Sequence, residues 1–152
     1  MSTAADDRAA ITDLIYRYAE LIDAGDFEGV GELLSRAAFG GPRTPTVSGA
    51  SNIAAVFTAT TRRFADGTPK TRHLVLNAIV EIAGDSATAR STFCVVQATD
   101  RIALAPIVVG RYHDRFGRDP VLGWHFTERI ADVEMVGDVS DHLLIDPAAF
   151  DR

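Results

Sequence analysis

The residues best suited to chemistry are a histidine and a carboxamide in the run TRHLVLNAIVEIA, residues 71–83. In an extended chain, period-two alternation puts His73, Val75, Asn77 and Ile79 on one face and Leu74, Leu76, Ala78 and Val80 on the other. Imidazole titrates near neutrality and can take a proton from carbon or oxygen. Amide donors such as Asn77, or Gln97 further along, can steady a developing oxyanion. Each has a plainer counterpart: a core histidine with its hydrogen bonds satisfied, and amides in ordinary polar packing. Tyr16 and Asp23 lie seven residues apart in YRYAELID, two helical turns, so they share roughly one helix face. Read alone, Asp23 is a solvated helix-end residue beside Gly25, and Tyr16 is equally a pocket-wall donor or a core aromatic.

Other chemistries find little support. Four histidines without an HExxH-type spacing do not suggest a metal site, and none is expected. There is no Gly-rich phosphate loop between strand and helix, no GxSxG elbow and no Cys–His signature. The single cysteine, Cys94, cannot form an internal disulfide and reads as a small buried hydrophobe. Arg111, His113 and Arg115 share one strand face, and His125, Thr127 and Arg129 another; both read as solvated or interface stripes that could reach an anion. Trp124 and Phe126 read as core, and His142 in the tail has no assigned role.

The elements that would position these residues follow from periodicity. Residues 7–24 read as a helix, with Ile11, Leu14, Ile15, Tyr18, Leu21 and Ile22 at three- and four-residue steps. Gly25 stops it and Asp26 caps a shorter second helix. Residues 37–48 are Gly-, Pro- and Thr-rich, a loop with short strands near Phe39 and Val47. A third helix opens at Gly49 or Ser51 and buries Ile53, Val56, Phe57 and Phe64. Four long strands follow, over 71–83, 86–99, 104–117 and 123–136, the first two joined at Gly84-Asp85 as an antiparallel hairpin. Three helices before a run of antiparallel strands predict an α+β fold, one domain over residues 1–152, with helices closing a curved antiparallel sheet around a cone-shaped cavity.

Composition narrows the partners. The chain has 152 residues, 47% apolar, with net charge −6 and pI about 5.1. An acidic chain without a basic cluster is a poor nucleic-acid binder. No apolar run approaches the ~20 residues of a membrane span. The acidic N-terminus lacks the layout of a signal peptide, so a cytoplasmic location is expected. Leu74, Leu76 and Val80 make the outer sheet face too apolar for water, so a homodimer or higher homo-oligomer through that face is expected.

Three stretches carry a resemblance: ITDLIYRYAELIDAGDFEGVGELL, TRHLVLNAIVEIAGDSATARSTFCVVQ and GRYHDRFGRDPVLGWHFTERIADVE. They resemble the opening helices, first long hairpin and last hairpin of SnoaL-like proteins, in the nuclear-transport-factor-2-like superfamily. The fold hosts many activities, so it does not by itself give a function. In the scytalone dehydratase and dehydrochlorinase branch, an aspartate ending the first helix pairs with a histidine opening the first long strand. By motif these places are held by Asp23 in LIDAGD and His73 in TRHLVLN. The resemblance thus implies an Asp23–His73 catalytic dyad, with Tyr16, Asn77 and Gln97 as substrate-binding candidates. Two positions depart from the dehydratase pattern: Ile22 replaces a tyrosine, and the second pocket histidine falls near Gln97. The expected activity is a cofactor-independent lyase or isomerase acting on a small hydrophobic substrate, aromatic or polycyclic ones included. The alternatives are a binding protein for such a molecule and a dioxygenase β-subunit-like structural subunit.

Overall fold

The computed structural model describes residues 1–151, with side chains described as far as Ala149. Helix α1 spans Ala4–Asp23. It starts where Thr3 and Asp6 form a reciprocal capping box, the Asp6 amide donating to Thr3 Oγ1 and the Thr3 amide to Asp6. Its buried stripe is Ile11, Ile15, Tyr18, Ala19 and Ile22. Gly25, with φ +73°, turns the chain. A Cβ there would lie 2.0 Å from the Gly67 carbonyl oxygen, so glycine is required twice over. Helix α2 spans Phe27–Leu33, capped by Asp26, whose carboxylate accepts from the Gly29 amide. Helix α3 spans Ala50–Thr60 and buries Ile53.

Six strands form one sheet in the order β2-β1-β6-β5-β4-β3. These are β1 Ala38–Gly40, β2 Val47–Ser48, β3 Thr71–Ala83, β4 Ser86–Gln97, β5 Ala105–Asp119 and β6 Gly123–Val136. The long strands pair antiparallel, as expected, but β1 runs parallel to β6, so the sheet is mixed. The core fills the concave side, where the α1 stripe meets Val80, Phe93, Val95, Ile107, Tyr112, Phe116 and Phe126. Among the described residues, no helix is long and apolar enough to cross a membrane.

Two irregularities change which residues face inward. The β3–β4 register shifts between Leu76 and Ile79, and Asn77 there has φ +56°. Asparagine tolerates this left-handed conformation better than most residues. Beyond it the alternation is reversed: Val80 is buried and Ile79 is 47% exposed. Val80 therefore leaves the outer face to Leu74, Leu76 and Ile79. The second shift lies at Arg115/Phe116 in the β5–β6 pairing, where Thr127 has no partner opposite. It turns Arg129 inward, against the solvated stripe expected from simple alternation. Cys94 is only half-buried, because its neighbours Phe93 and Val95 take the inward positions.

Candidate active site

Asp23 is the last residue of α1, and His73 lies near the start of β3. The turn at Gly25 brings them together. Arg63 places its guanidinium 4.7 Å over the Phe27 ring and donates to the Gly25 carbonyl at 3.4 Å. This ties the α1–α2 corner to the segment that leads into β3.

The Asp23 carboxylate accepts three hydrogen bonds. They come from Thr71 Oγ1 at 2.9 Å, the His73 amide at 2.8 Å and His73 Nδ1 at 2.7 Å. A carboxylate at a helix C-terminus faces the unfavourable end of the dipole; three donors offset that. An ionised carboxylate only accepts, so Nδ1 carries the proton in this contact. Neutral His73 then has a bare Nε2, the form a general base requires. Both side chains are nearly buried, with 12% of Asp23 and 10% of His73 exposed. Low exposure strengthens the contact relative to water.

His142 is a third member that sequence reading left unassigned. It sits on a C-terminal strap, residues 137–146, which folds back over the end of α3. Thr61 pairs with Leu143, the Arg62 amide donates to the His142 carbonyl at 2.8 Å, and the Leu144 amide to Thr60 at 2.9 Å. The His142 ring is buried, and Nδ1 has no hydrogen-bond partner. Burial, aided by the nearby His73 imidazole and opposed by Asp23, lowers its pKa from 6.5 to about 4. His142 is therefore neutral near pH 7. A weakly patterned tail gives no periodic signal that would have marked it.

The other expected site residues separate. Gln97 is buried, and its Nε2 donates to the Pro69 carbonyl at 2.9 Å and the Asp141 carbonyl at 3.3 Å. Tyr16 and Asn77 lie apart from the dyad, both exposed. Tyr16 is 47% exposed, because the inward stripe of α1 runs through Ile15 and Tyr18 instead. Asn77 is exposed at the β3 bulge, four residues from His73 but turned out of the concave face.

Arg129, expected on a solvated stripe, is fully buried. It forms a two-point pair with Asp114, at 2.8 and 2.9 Å. Its guanidinium lies 3.8 Å from the Tyr112 ring centroid and 4.2 Å from that of Tyr18. Burial alone would lower its pKa, but the Asp114 charge outweighs that and raises it. Burial pushes the Tyr18 hydroxyl up to about 12. Phe93 stacks on Tyr112 at 4.3 Å, so aromatic rings fill the middle of the expected cone. An apolar cavity of about 260 Å³ lies further along, lined by Phe39, Val47, Val56, Ala131, Val133 and Ile145 among others. It lies toward β1, β2 and β6, away from the dyad on β3. No group of His, Cys, Asp and Glu among the described residues is arranged to hold a metal ion.

The profile of a SnoaL-like domain matches residues 3–130. The chain belongs to the SnoaL-like family. A comparison with curated proteins gave no match. Among solved structures, this SnoaL-like chain is similar to a nuclear-transport-factor-2-like protein with a cystatin-like fold from Novosphingobium aromaticivorans. The two are 26% identical with a TM-score of 0.72, over 89% of this chain and 86% of that one. Two further chains from that organism share the fold. One is a candidate scytalone dehydratase, 17% identical, TM-score 0.68, covering 87% of each chain. The other is the β-subunit of a candidate aromatic-ring-hydroxylating dioxygenase, 18% identical, TM-score 0.65, covering 85% of this chain and 90% of that one.

Proposed function

We propose that the protein is a dehydratase-like lyase or isomerase acting on a small, largely hydrophobic substrate, with His73 as general base and Asp23 as its orienting partner. The observation that carries this reading is the 2.7 Å contact from His73 Nδ1 to Asp23, made by a carboxylate that also holds the His73 backbone amide. It satisfies the geometric requirement of a base whose tautomer is fixed by an oriented carboxylate. His73 Nε2 removes a proton from carbon. The C–H electron pair becomes the new double bond as the carbon–oxygen bond of a hydroxyl breaks. The proton passes to the departing oxygen, which leaves as water. In an isomerisation the proton returns to another carbon of the same conjugated system instead.

The test is a panel of hydroxylated bicyclic ketones, followed by the absorbance of the conjugated product. A positioned base contributes about 10²–10⁴-fold, so His73→Ala should remove that much turnover from any active pair. Turnover that survives His73→Ala within threefold sinks the role.

A second reading is a binding protein that holds such a molecule unchanged. The position of the apolar cavity, lined by Phe39, Val56 and Val133 rather than by His73, favours it. Under that reading a ligand recovered from the purified protein is chemically unaltered after prolonged incubation.

A further inference from the structure

Among the described buried side chains, the polar atoms without a hydrogen-bond partner are Ser91 Oγ, Gln97 Oε1, Arg129 Nη1 and His142 Nδ1. Two belong to the end of the sheet that holds His73. Gln97 stands opposite Thr71 in the β3–β4 register, and Thr71 donates to Asp23. Because Gln97 Nε2 faces two carbonyl oxygens, its amide orientation is fixed, and Oε1 is a committed acceptor with nothing to accept from. One of those carbonyls belongs to Asp141, so the bond that uses the Gln97 amino group also places the next residue, His142. Thr99 Oγ1 donates to Asp141 Oδ2 at 2.7 Å and holds the strap from its other side.

Buried polar atoms are normally paired, and two unpaired ones beside an oriented base are a reason to look for a ligand. Their chemistries are complementary to one group. Gln97 Oε1 needs a donor. A neutral imidazole with its proton on Nδ1 needs an acceptor. A hydroxyl is both at once, with one O–H and two lone pairs. A bare carbonyl leaves Gln97 unpaired, and a carboxylate is repelled by it.

We infer that Gln97 Oε1 and His142 Nδ1 form a hydroxyl-binding subsite next to His73, and that the molecule bound there is an alcohol, phenol or enol. The subsite deepens the general-base reading and rests on it for any reaction that follows binding. The Gln97 acceptor takes the O–H, and His142 donates to the oxygen. Val95 stands opposite His73 in the β3–β4 register, and Val75 is its next neighbour on the same face, so the surroundings of the subsite are apolar.

The test uses 2-naphthol against 2-methoxynaphthalene, which keeps the rings and the acceptor but cannot donate. Binding is read by ¹⁵N imidazole spectra of the intact wild-type chain, with the histidine signals assigned by single substitution. The subsite predicts that 2-naphthol moves the His142 ring signals and binds roughly fivefold or more tightly than the ether, about the effect of one net hydrogen bond. His142→Phe should erase that preference. Equal binding of the two probes, or His142 signals unmoved by 2-naphthol, overturns the subsite. The wild-type spectra decide the matter even if His142→Phe fails to fold. The base reading has its own readout in the same spectra, the His73 tautomer. A silent His142 beside a His73 protonated at Nδ1 removes the subsite and leaves the base; the opposite pattern does the reverse.

Discussion

Asp23 and His73 are fifty positions apart, and nothing in their spacing shows that they touch. The LIDAGD and TRHLVLN motifs implied the pair through resemblance, and the structure makes the contact. His142 was not legible, because its position depends on how an unpatterned strap folds back. Its lowered pKa has a consequence for stability. The unfolded histidine titrates near 6.5 and the folded one near 4, so the unfolded state binds the proton first as pH falls. Stability is unaffected above about pH 6.5 and declines from there toward pH 4. The difference amounts to on the order of 3 kcal/mol. Urea unfolding of wild type and His142→Gln at pH 7 and pH 4.5 checks this. The variant should lose less stability than wild type over that interval.

At the scale of elements, the helices and long strands were readable because their apolar spacing is regular. The bulges were not. Alternation carried through Asn77 puts it beside His73 and puts Val80 outside; one left-handed residue reverses both. The same kind of slip at Thr127 buries Arg129, which alternation alone left at the surface. Gly25 is the element-level joint of the site. Gly25→Ala places a Cβ against the Gly67 carbonyl and strains a positive φ. Strain of that kind costs about 1–3 kcal/mol, and more with the clash. Thermal unfolding should show the loss, and the amide shift of His73 should move with it, because the corner that carries Asp23 is displaced. An unchanged His73 amide in a destabilised variant contradicts this coupling.

For the whole molecule, the buried Arg129–Asp114 pair joins β5 and β6 beneath α1. Removing one partner leaves an uncompensated buried charge, typically at a cost of about 3–5 kcal/mol. Asp114→Asn should therefore destabilise strongly, while Arg129→Met with Asp114→Leu should recover much of the loss; denaturant midpoints compare them. On the outer face, Leu74, Leu76 and Ile79 are 44–47% exposed in a row along β3. We propose that a second copy of the chain covers them. Sedimentation should give a dimer for wild type at micromolar concentration and a monomer for Leu74→Asp with Leu76→Asp. A wild-type monomer under those conditions removes the proposal.

In the proposed site, the Asp23 contact holds the His73 proton on Nδ1 and leaves Nε2 bare. Long-range ¹H–¹⁵N correlation of the imidazole rings near pH 8 tests it most directly. Neutral His73 should carry its proton on Nδ1 in the wild type, and Asp23→Asn should alter or mix the tautomers. A His73 protonated at Nε2 in the wild type, or a tautomer indifferent to Asp23→Asn, contradicts it.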